Sequence, residues 1–307
     1  MNAPYLVVAV LTPFDSDLKV DYPALQREID YVLETAPSAT IASCGMEVQE
    51  YQYLSLEARM ELVRRTAEFV GGRAPLIVGV SHPDIRTAVK LAQMAESLGA
   101  AAVQALIPLR PIGGNLTLDE LVRFYETLAA ETSLPLSVYH NPGPGADPPL
   151  PWIVRLCEIP QVKFFKDSSR DLRRIGMLID QIDRRGLAHY LSTMEPMLTA
   201  FCLGASGVTM PPPGQALAAR VIEAFQSGDL KRAWELQKGF QLFPNRWLHR
   251  GLAAVMKAAM RIVGVDVGEI YPPFDGLTPA EREQLATHLA VHGFIRSRVI
   301  EPSAGSI

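Results

Sequence analysis

Lys166 ends a short apolar run, residues 162–166, and its position suits covalent chemistry. If the run forms a strand, alternation places Val162, Phe164 and Lys166 on one face. In a closed parallel barrel one face is the interior, and Lys166 then stands at the strand end where barrel enzymes keep their active sites. Apolar surroundings lower the pKa of a lysine, and a neutral lysine attacks carbonyl carbon to give a Schiff base. A surface lysine at a strand end is the alternative that this stretch leaves open.

A tyrosine ends the preceding predicted strand in the same way as Lys166. Tyr139 closes the run 135–139, and the two strands are consecutive along the chain. Neighbouring strands could set the phenol beside the lysine, where it would move protons during bond formation and cleavage. An aromatic core residue is the alternative interpretation of Tyr139.

The loop after the predicted second strand carries several polar groups. Glu47 and Glu50 are candidate acids, or solvated loop carboxylates, and Cys44 is predicted to be a small buried thiol. His82 and His140 also follow strands, but the chain has neither an HExxH motif nor paired CxxC motifs. Scattered histidines usually satisfy local hydrogen bonds, so we predict that the protein uses no metal and no other cofactor.

Composition narrows the possible partners and the compartment. The chain has 307 residues, 48% of them hydrophobic, a net charge of −4 and three cysteines. Without a basic run, binding to nucleic acid or to a membrane surface is not expected. Few cysteines indicate a reducing compartment, and neither a signal-like N-terminus nor a membrane-length apolar stretch is present, so we expect a cytoplasmic protein.

Strand and helix patterns alternate eight times over the first 214 residues. The strands are apolar runs with little polar alternation, which is typical of parallel sheets covered on both sides. The predicted strands cover residues 5–11, 39–43, 75–80, 101–107, 135–139, 162–166, 188–191 and 207–210. Eight such units predict an α/β fold, a (β/α)8 TIM barrel. The main rival is an open doubly wound sheet, but no glycine fingerprint follows the first strand.

The rest of the chain is predicted to be helical. Helices are expected at residues 216–227, 230–240, 247–263 and 279–292. Capping boxes at Thr117 and Thr278 predict two helix starts. The predicted organisation is therefore a barrel over residues 1–214 and a C-terminal helical extension over 215–307, packed on the barrel.

Several motifs, in this order and spacing, resemble a known family. They are Thr12-Pro13-Phe14, Tyr139-His140-Asn141-Pro142, the segment 166–172, the segment 204–208, the segment 256–260 and Tyr271-Pro272-Pro273-Phe274. The chain resembles the dihydrodipicolinate synthase and N-acetylneuraminate lyase family of class I Schiff-base lyases over nearly its whole length. The resemblance implies that Lys166 is the Schiff-base lysine and Tyr139 the proton-shuttling tyrosine. It also implies a barrel with C-terminal helices, a small-molecule carbonyl substrate, and a homo-oligomer, usually a tetramer.

The chain departs from the family pattern where substrate specificity is set. The family usually has a threonine pair after the second strand, which holds the carboxylate of a 2-oxo acid. Here either Gly45 and Met46 or Glu47 and Val48 stand in its place. A negative Glu47 would repel a carboxylate, so we expect pyruvate to bind poorly. We expect substrate contacts from the strand ends, by Ser43, Gly45, Glu47, Arg110, Asn141, Val208 and Thr209.

The sequence leaves three functions open. The first is a Schiff-base lyase, aldolase, hydratase or dehydratase that acts on a 2-oxo acid or a related carbonyl compound through Lys166. The second is an enzyme of the same fold that deaminates its substrate or dehydrates a sugar acid. The third is a barrel that has lost catalysis and serves as a binding or assembly protein. The missing threonine pair favours the third function, whereas the retained Lys166 and Tyr139 speak against it. Because fold alone does not fix function, all three stay open.

Overall fold

Eight parallel strands form a closed barrel in the computed structural model, which describes residues 4–110, 114 and 116–295. Each strand pairs with the next along the chain, and β8 pairs with β1. The strands are β1 Tyr5–Ala9, β2 Thr40–Ser43, β3 Leu76–Gly79, β4 Ala102–Leu106, β5 Leu136–His140, β6 Val162–Asp167, β7 His189–Ser192 and β8 Gly207–Met210. The predicted (β/α)8 fold is confirmed, and residues 296–307 of the predicted extension lie outside the described part of the chain.

Helices separate the strands and cover the barrel. They are α1 Tyr22–Thr35, α2 Leu56–Val70, α3 Ile85–Ser97, α4 Leu118–Ala130, α5 Leu150–Cys157, α6 Leu172–Leu178, α7 Met197–Leu203 and α8 Gly214–Gln226. Side-chain caps fix most of their starts: Thr117 and Glu120 form the predicted capping box of α4, and Asp21 caps α1. A short π-helical turn, Ile179–Asp183, extends α6. None of the described helices is long and apolar enough to cross a membrane.

A bulge in β6 sets the direction of its side chains. Leu136 pairs with Val162, whereas the next residue, Ser137, pairs with Phe164. Lys163 is therefore an extra residue, and it is exposed. Leu136 and Ser137 are adjacent in β5 and point to opposite faces of the sheet. Their partners Val162 and Phe164 therefore also lie on opposite faces. The predicted common face of Val162, Phe164 and Lys166 is wrong for Val162 and holds for the other two.

The C-terminal helices differ from the prediction in their breaks. They are α9 Leu230–Gln237, α10 Gly239–Leu242, α11 Leu252–Ile262 and α12 Pro279–Val291. The single helix expected over 247–263 is wrong: a 3-10 helix, Asn245–Arg250, ends at Gly251, whose φ of 87° lies outside the helical region. The predicted capping box at Thr278 is present in α12. Helix α11 packs against the turn Glu47–Gln49, and so the extension reaches the C-terminal end of the barrel.

Candidate active site

Lys166 lies at the C-terminal end of β6 with its side chain inside the barrel. The register sets it directly beside Tyr139 of β5, and its Nζ lies 3.6 Å from the centroid of the tyrosine ring. Only 3% of the residue is exposed. Burial lowers the pKa of Lys166 to about 7; Glu47 opposes this shift and Arg170 adds to it. A substantial fraction of the amine is therefore neutral near pH 7.

A buried network on the other side of β6 holds this strand end in place. Asp167 points away from the barrel interior, because it follows Lys166 in the strand. Its carboxylate accepts hydrogen bonds from Tyr190 and Ser169, both at 2.8 Å, and pairs with His140 Nδ1 at 2.8 Å. Burial alone would raise the pKa of Asp167, but these hydrogen bonds keep it below its ordinary value. The network fixes the backbone from which Lys166 projects.

Tyr139 is part of a three-residue hydrogen-bond cluster in the barrel mouth. Its hydroxyl donates to Glu47 Oε2 at 2.7 Å. Asn141 Nδ2 donates to the tyrosine oxygen at 2.9 Å and to the same glutamate oxygen at 3.0 Å. Burial, and next the charge of Glu47, raise the pKa of Tyr139 well above its ordinary value.

Gln49 explains why Glu47 points into the barrel. The Gln49 side-chain oxygen accepts from the amides of Gly45 at 2.7 Å and Met46 at 3.0 Å. Its amide nitrogen donates to the carbonyls of Val10 at 2.7 Å and Ala42 at 2.8 Å. A single buried side chain thus ties the turn to β2 and to the end of β1. The turn is held in one conformation, and Glu47 is directed towards Tyr139.

An ion pair anchors the far end of the same turn. Glu50 has a left-handed backbone, with φ of 51°, and its carboxylate pairs with Lys257 of α11 at 2.6 Å. Lys257 Nζ also donates to the Glu269 carbonyl at 2.8 Å. Burial lowers the pKa of Lys257, while Glu50 opposes the shift. The pair joins the barrel mouth to the helical extension.

A cavity of about 620 Å³ opens above Lys166. Lys166, Tyr139, Asn141 and Glu47 line it, together with Thr209. Its other lining residues include Ser168, Arg170, Thr193, Met194, Arg250 and Phe274. Two polar atoms at its wall, Glu47 Oε1 and Thr193 Oγ1, are buried and make no hydrogen bond to any described residue. Buried polar atoms are normally hydrogen-bonded, so each of these two lacks a partner that water or a ligand would supply.

Four of the predicted substrate contacts lie away from this cavity. Ser43 bonds to Thr66 of α2 at 3.2 Å, on the outside of the barrel. The amide of Gly45 is taken by Gln49. Val208 is buried and precedes the cavity-lining Thr209, so it faces the other side of β8. Arg110 pairs with Glu120 at the surface.

Three residues that sequence reasoning did not select belong to the site. Arg170 lines the cavity and pairs with Glu195 at 3.0 Å, so a cation does stand at the mouth, although it is not Arg110. Thr193 provides the free hydroxyl. Gln49 holds the turn. Of these, Arg170 had a visible signal, because it follows Lys166 by only four residues.

A second cavity of about 570 Å³ lies on the other side of Glu47. Glu47 and Pro144 line both cavities, and Arg59, His82 and Leu109 line only this one. Arg59 is held by the carbonyls of Ser81 at 2.9 Å and Gly79 at 2.8 Å. Among the described residues no group of three or more His, Cys, Asp or Glu side chains is arranged to hold a metal ion.

Comparison with known proteins gives a consistent result. The sequence pattern of the Dihydrodipicolinate synthetase family matches residues 3–291. A 4-hydroxy-tetrahydrodipicolinate synthase of Bacillus velezensis is 26% identical over 292 residues, which cover 94% of this chain and 98% of the relative. An uncharacterized DapA-like lyase of Halobacterium salinarum is 29% identical and covers 94% of each chain. The crystal structure of a dihydrodipicolinate synthase from Acinetobacter baumannii, complexed with pyruvate, is 25% identical, with a TM-score of 0.85 over 96% of this chain and 100% of that one.

Proposed function

Because this chain belongs to the dihydrodipicolinate synthetase family, we propose that it is a lyase that holds its carbonyl substrate as a Schiff base on Lys166. The observation that carries the proposal is the buried amine at the end of β6, whose pKa is lowered to about 7 by burial and which opens into a cavity. In its neutral form this amine is a nucleophile for carbonyl carbon. The iminium that results withdraws electrons from the neighbouring carbon–carbon bond.

Tyr139 is the proton-moving partner in this proposal. Its ring lies against Lys166 Nζ, and its hydroxyl is fixed by two neighbours, Asn141 and Glu47. A fixed phenol close to the amine would exchange a proton with the reacting groups once the bound substrate brings them within hydrogen-bond distance of its hydroxyl. Cleavage or formation of the carbon–carbon bond would then proceed on the iminium, without a cofactor.

The polar groups of the cavity favour a hydroxylated substrate over a simple 2-oxo acid. Glu47 places a carboxylate beside Tyr139, where it would repel a substrate carboxylate. The unpaired Glu47 Oε1 would accept a hydrogen bond from a substrate hydroxyl. The unpaired Thr193 hydroxyl could donate a hydrogen bond to a substrate hydroxyl or accept one from it. An anionic group elsewhere on the substrate would meet Arg170 at the mouth. A hydroxyl next to the iminium also permits loss of water, so dehydration is the second candidate reaction.

Borohydride trapping tests the proposal directly. The protein is incubated with a panel that contains pyruvate, hydroxypyruvate, hydroxyacetone, dihydroxyacetone and glyceraldehyde, then reduced and mapped by mass spectrometry. We expect an adduct on Lys166 that is absent from Lys166→Ala. The matched control is Lys163→Ala, which removes an exposed lysine of the same strand and should trap normally. An adduct on Lys163 or Lys257 instead would contradict the assignment, and product analysis separates cleavage from dehydration.

We also propose that the protein is a homo-oligomer. Several large apolar side chains are exposed on the helices that follow β6 and β8, including Leu172, Met177, Trp234 and Leu242. Large apolar side chains that are exposed in one chain are often covered by a second chain at a subunit interface. Multi-angle light scattering at micromolar concentration should give a mass of two or four chains. A monomer mass across that range would contradict the proposal.

A further inference from the structure

The carboxylate of Glu47 stands where a proton could leave the Lys166 site. It accepts the hydroxyl proton of Tyr139 through Oε2, while Oε1 is buried without a partner among the described residues. Asn141 donates to both ends of this contact, which aligns the two oxygen atoms. Glu47 lines the cavity above Lys166 and the second cavity as well. It is therefore in contact with Tyr139 and with two spaces that could hold solvent.

Tyr139 cannot move a proton alone in these surroundings. Burial raises its pKa well above the ordinary value, and the adjacent Glu47 raises it further. A free phenolate would place two negative charges in contact inside the barrel, which is costly. If Tyr139 accepts a proton from one side, it must therefore release its own proton to another group at the same time. Glu47 Oε2, at 2.7 Å, already accepts that proton as a hydrogen bond.

We propose that Glu47 takes up and returns the proton of Schiff-base formation on Lys166, with Tyr139 as the bridge. This inference rests on the proposed function, because it concerns the same imine. It makes Glu47 a proton-exchanging residue that acts through the phenol. The role needs an ionisable carboxylate, and not merely a hydrogen-bond acceptor, at position 47.

Schiff-base formation on Lys166 consumes one proton and releases one water molecule. The nitrogen of neutral Lys166 bonds to the carbonyl carbon, and the carbonyl π pair moves to oxygen, which takes up that one proton from a hydronium ion or a buffer acid in the solution. One N–H proton of the resulting ammonium passes to the Tyr139 oxygen, while the Tyr139 hydroxyl proton passes to Glu47. The neutral carbinolamine then receives that proton back through Tyr139 on its hydroxyl. Water leaves, the nitrogen lone pair forms C=N, and Glu47 is again a carboxylate beside a positive iminium.

The turn Glu47–Gln49 fits this role. Gln49 ties the turn to Val10 and Ala42, so Glu47 does not need to find its orientation when substrate arrives. Preorganised partners contribute most in a site that excludes water. The positive charge that develops on the imine nitrogen would face the carboxylate that has just returned its proton, and this favours the iminium over the carbinolamine.

The test follows the rate of adduct formation with an uncharged probe, so that the charge of Glu47 does not affect probe binding. Hydroxyacetone, dihydroxyacetone and glyceraldehyde are each mixed with the protein, reduced by borohydride at timed intervals, and the Lys166 peptide is quantified. General acid–base catalysis contributes about 100-fold or more, so Glu47→Gln should slow labelling by about 100-fold. The half-saturating probe concentration should stay within about twofold. Glu47→Asp should restore part of the rate, and Glu57→Gln, an exposed glutamate of α2, should label like wild type.

Chemical rescue separates proton exchange from a structural role. In Glu47→Ala the space left by the side chain adjoins both cavities, so a small carboxylic acid can enter it. Formate should raise the labelling rate of this variant, whereas chloride at equal ionic strength should not. Labelling of Glu47→Gln within about threefold of wild type, or equal effects of formate and chloride, would overturn the inference and leave the proposed function standing. A wild-type protein that labels with none of the carbonyl compounds would overturn both.

Discussion

Two buried lysines in this molecule have contrasting surroundings. Lys166 and Lys257 are each 3% exposed, and each lies near a glutamate of the same short turn. Lys257 is in direct contact with Glu50 at 2.6 Å and donates to a backbone carbonyl. Lys166 forms no ion pair within the described part of the chain; it rests on the ring of Tyr139 and opens into a cavity. Burial is the same for both, so the presence of a direct partner decides which lysine keeps its charge.

The two glutamates of the turn, Glu47 and Glu50, have different roles. Glu50 at the end of the turn neutralises a cation and joins the barrel to α11. Glu47, three residues earlier, bonds to Tyr139, so it stabilises a charged Lys166 only at a distance. A direct carboxylate partner on Lys166 would have kept the amine protonated and unreactive. The phenol between them keeps the carboxylate in hydrogen-bond contact with Tyr139 and too far from Lys166 to form an ion pair.

Removing one partner of the Lys257 pair should have the largest effect on stability. Glu50→Gln or Lys257→Met leaves the other charge buried and unpaired, which costs about 3–5 kcal/mol. Lys166→Met should leave the free energy of unfolding unchanged or raise it, because no ion pair is lost. Urea unfolding followed by circular dichroism measures both. If Lys166→Met destabilises the protein as much as Lys257→Met, the contrast drawn between the two lysines is wrong.

Restoring the threonine pair should change which carbonyl compound is accepted. Two like charges about 4 Å apart repel by about 1 kcal/mol in water and about 4 kcal/mol at an effective dielectric constant of 20. Glu47→Thr/Val48→Thr should therefore lower the half-saturating pyruvate concentration by about fivefold to a thousandfold in borohydride trapping. Val48→Thr alone keeps Glu47 and serves as the control. Wild type that traps pyruvate at micromolar concentration would refute the idea that Glu47 excludes carboxylates.

The pH dependence of labelling tests whether Lys166, which has no direct carboxylate partner, loses its proton near neutral pH. Burial lowers the pKa of Lys166 to about 7, so its neutral fraction falls about tenfold for each pH unit below that value. At low concentrations of hydroxyacetone, the initial labelling rate of Lys166 should fall as pH drops from 7 to 5. It should change little between pH 8 and 9. A rate that continues to climb up to pH 10 would show an ordinary, solvated lysine.

Much of the fold could be predicted because buried parallel strands have a clear signature. Runs such as Leu76–Gly79 are apolar on both faces, and they recur with helices between them. Lys166 and Tyr139 were predictable as neighbours because consecutive strands end at the same side of a barrel. The single helix expected over 247–263 failed at Gly251, because apolar spacing continues on both sides of a residue whose backbone is not helical.

The direction of loop side chains could not be predicted from local pattern. Glu47 points inward because Gln49 bonds to Val10, 39 residues earlier in the chain. A prediction from neighbouring residues cannot include a contact at that sequence separation. Arg110 and Arg170 both follow strands, yet only Arg170 lines the cavity, while Arg110 pairs with Glu120 at the surface. Position after a strand fixes the neighbourhood of a residue, whereas the contacts of its loop fix where its side chain goes.

The bulge at Lys163 has a consequence for how this protein can change over evolutionary time. Between α5 and the C-terminal end of β6 the chain carries one residue that occupies no place in the ladder. An insertion in a regular strand would turn every later side chain to the opposite face, and Lys166 would leave the interior. Here the surplus residue is looped out to solvent before Phe164, and the phase of the strand beyond it is preserved. The length of the segment that leads into β6 is thereby uncoupled from the direction of the lysine, and a lineage can vary the one while it keeps the other.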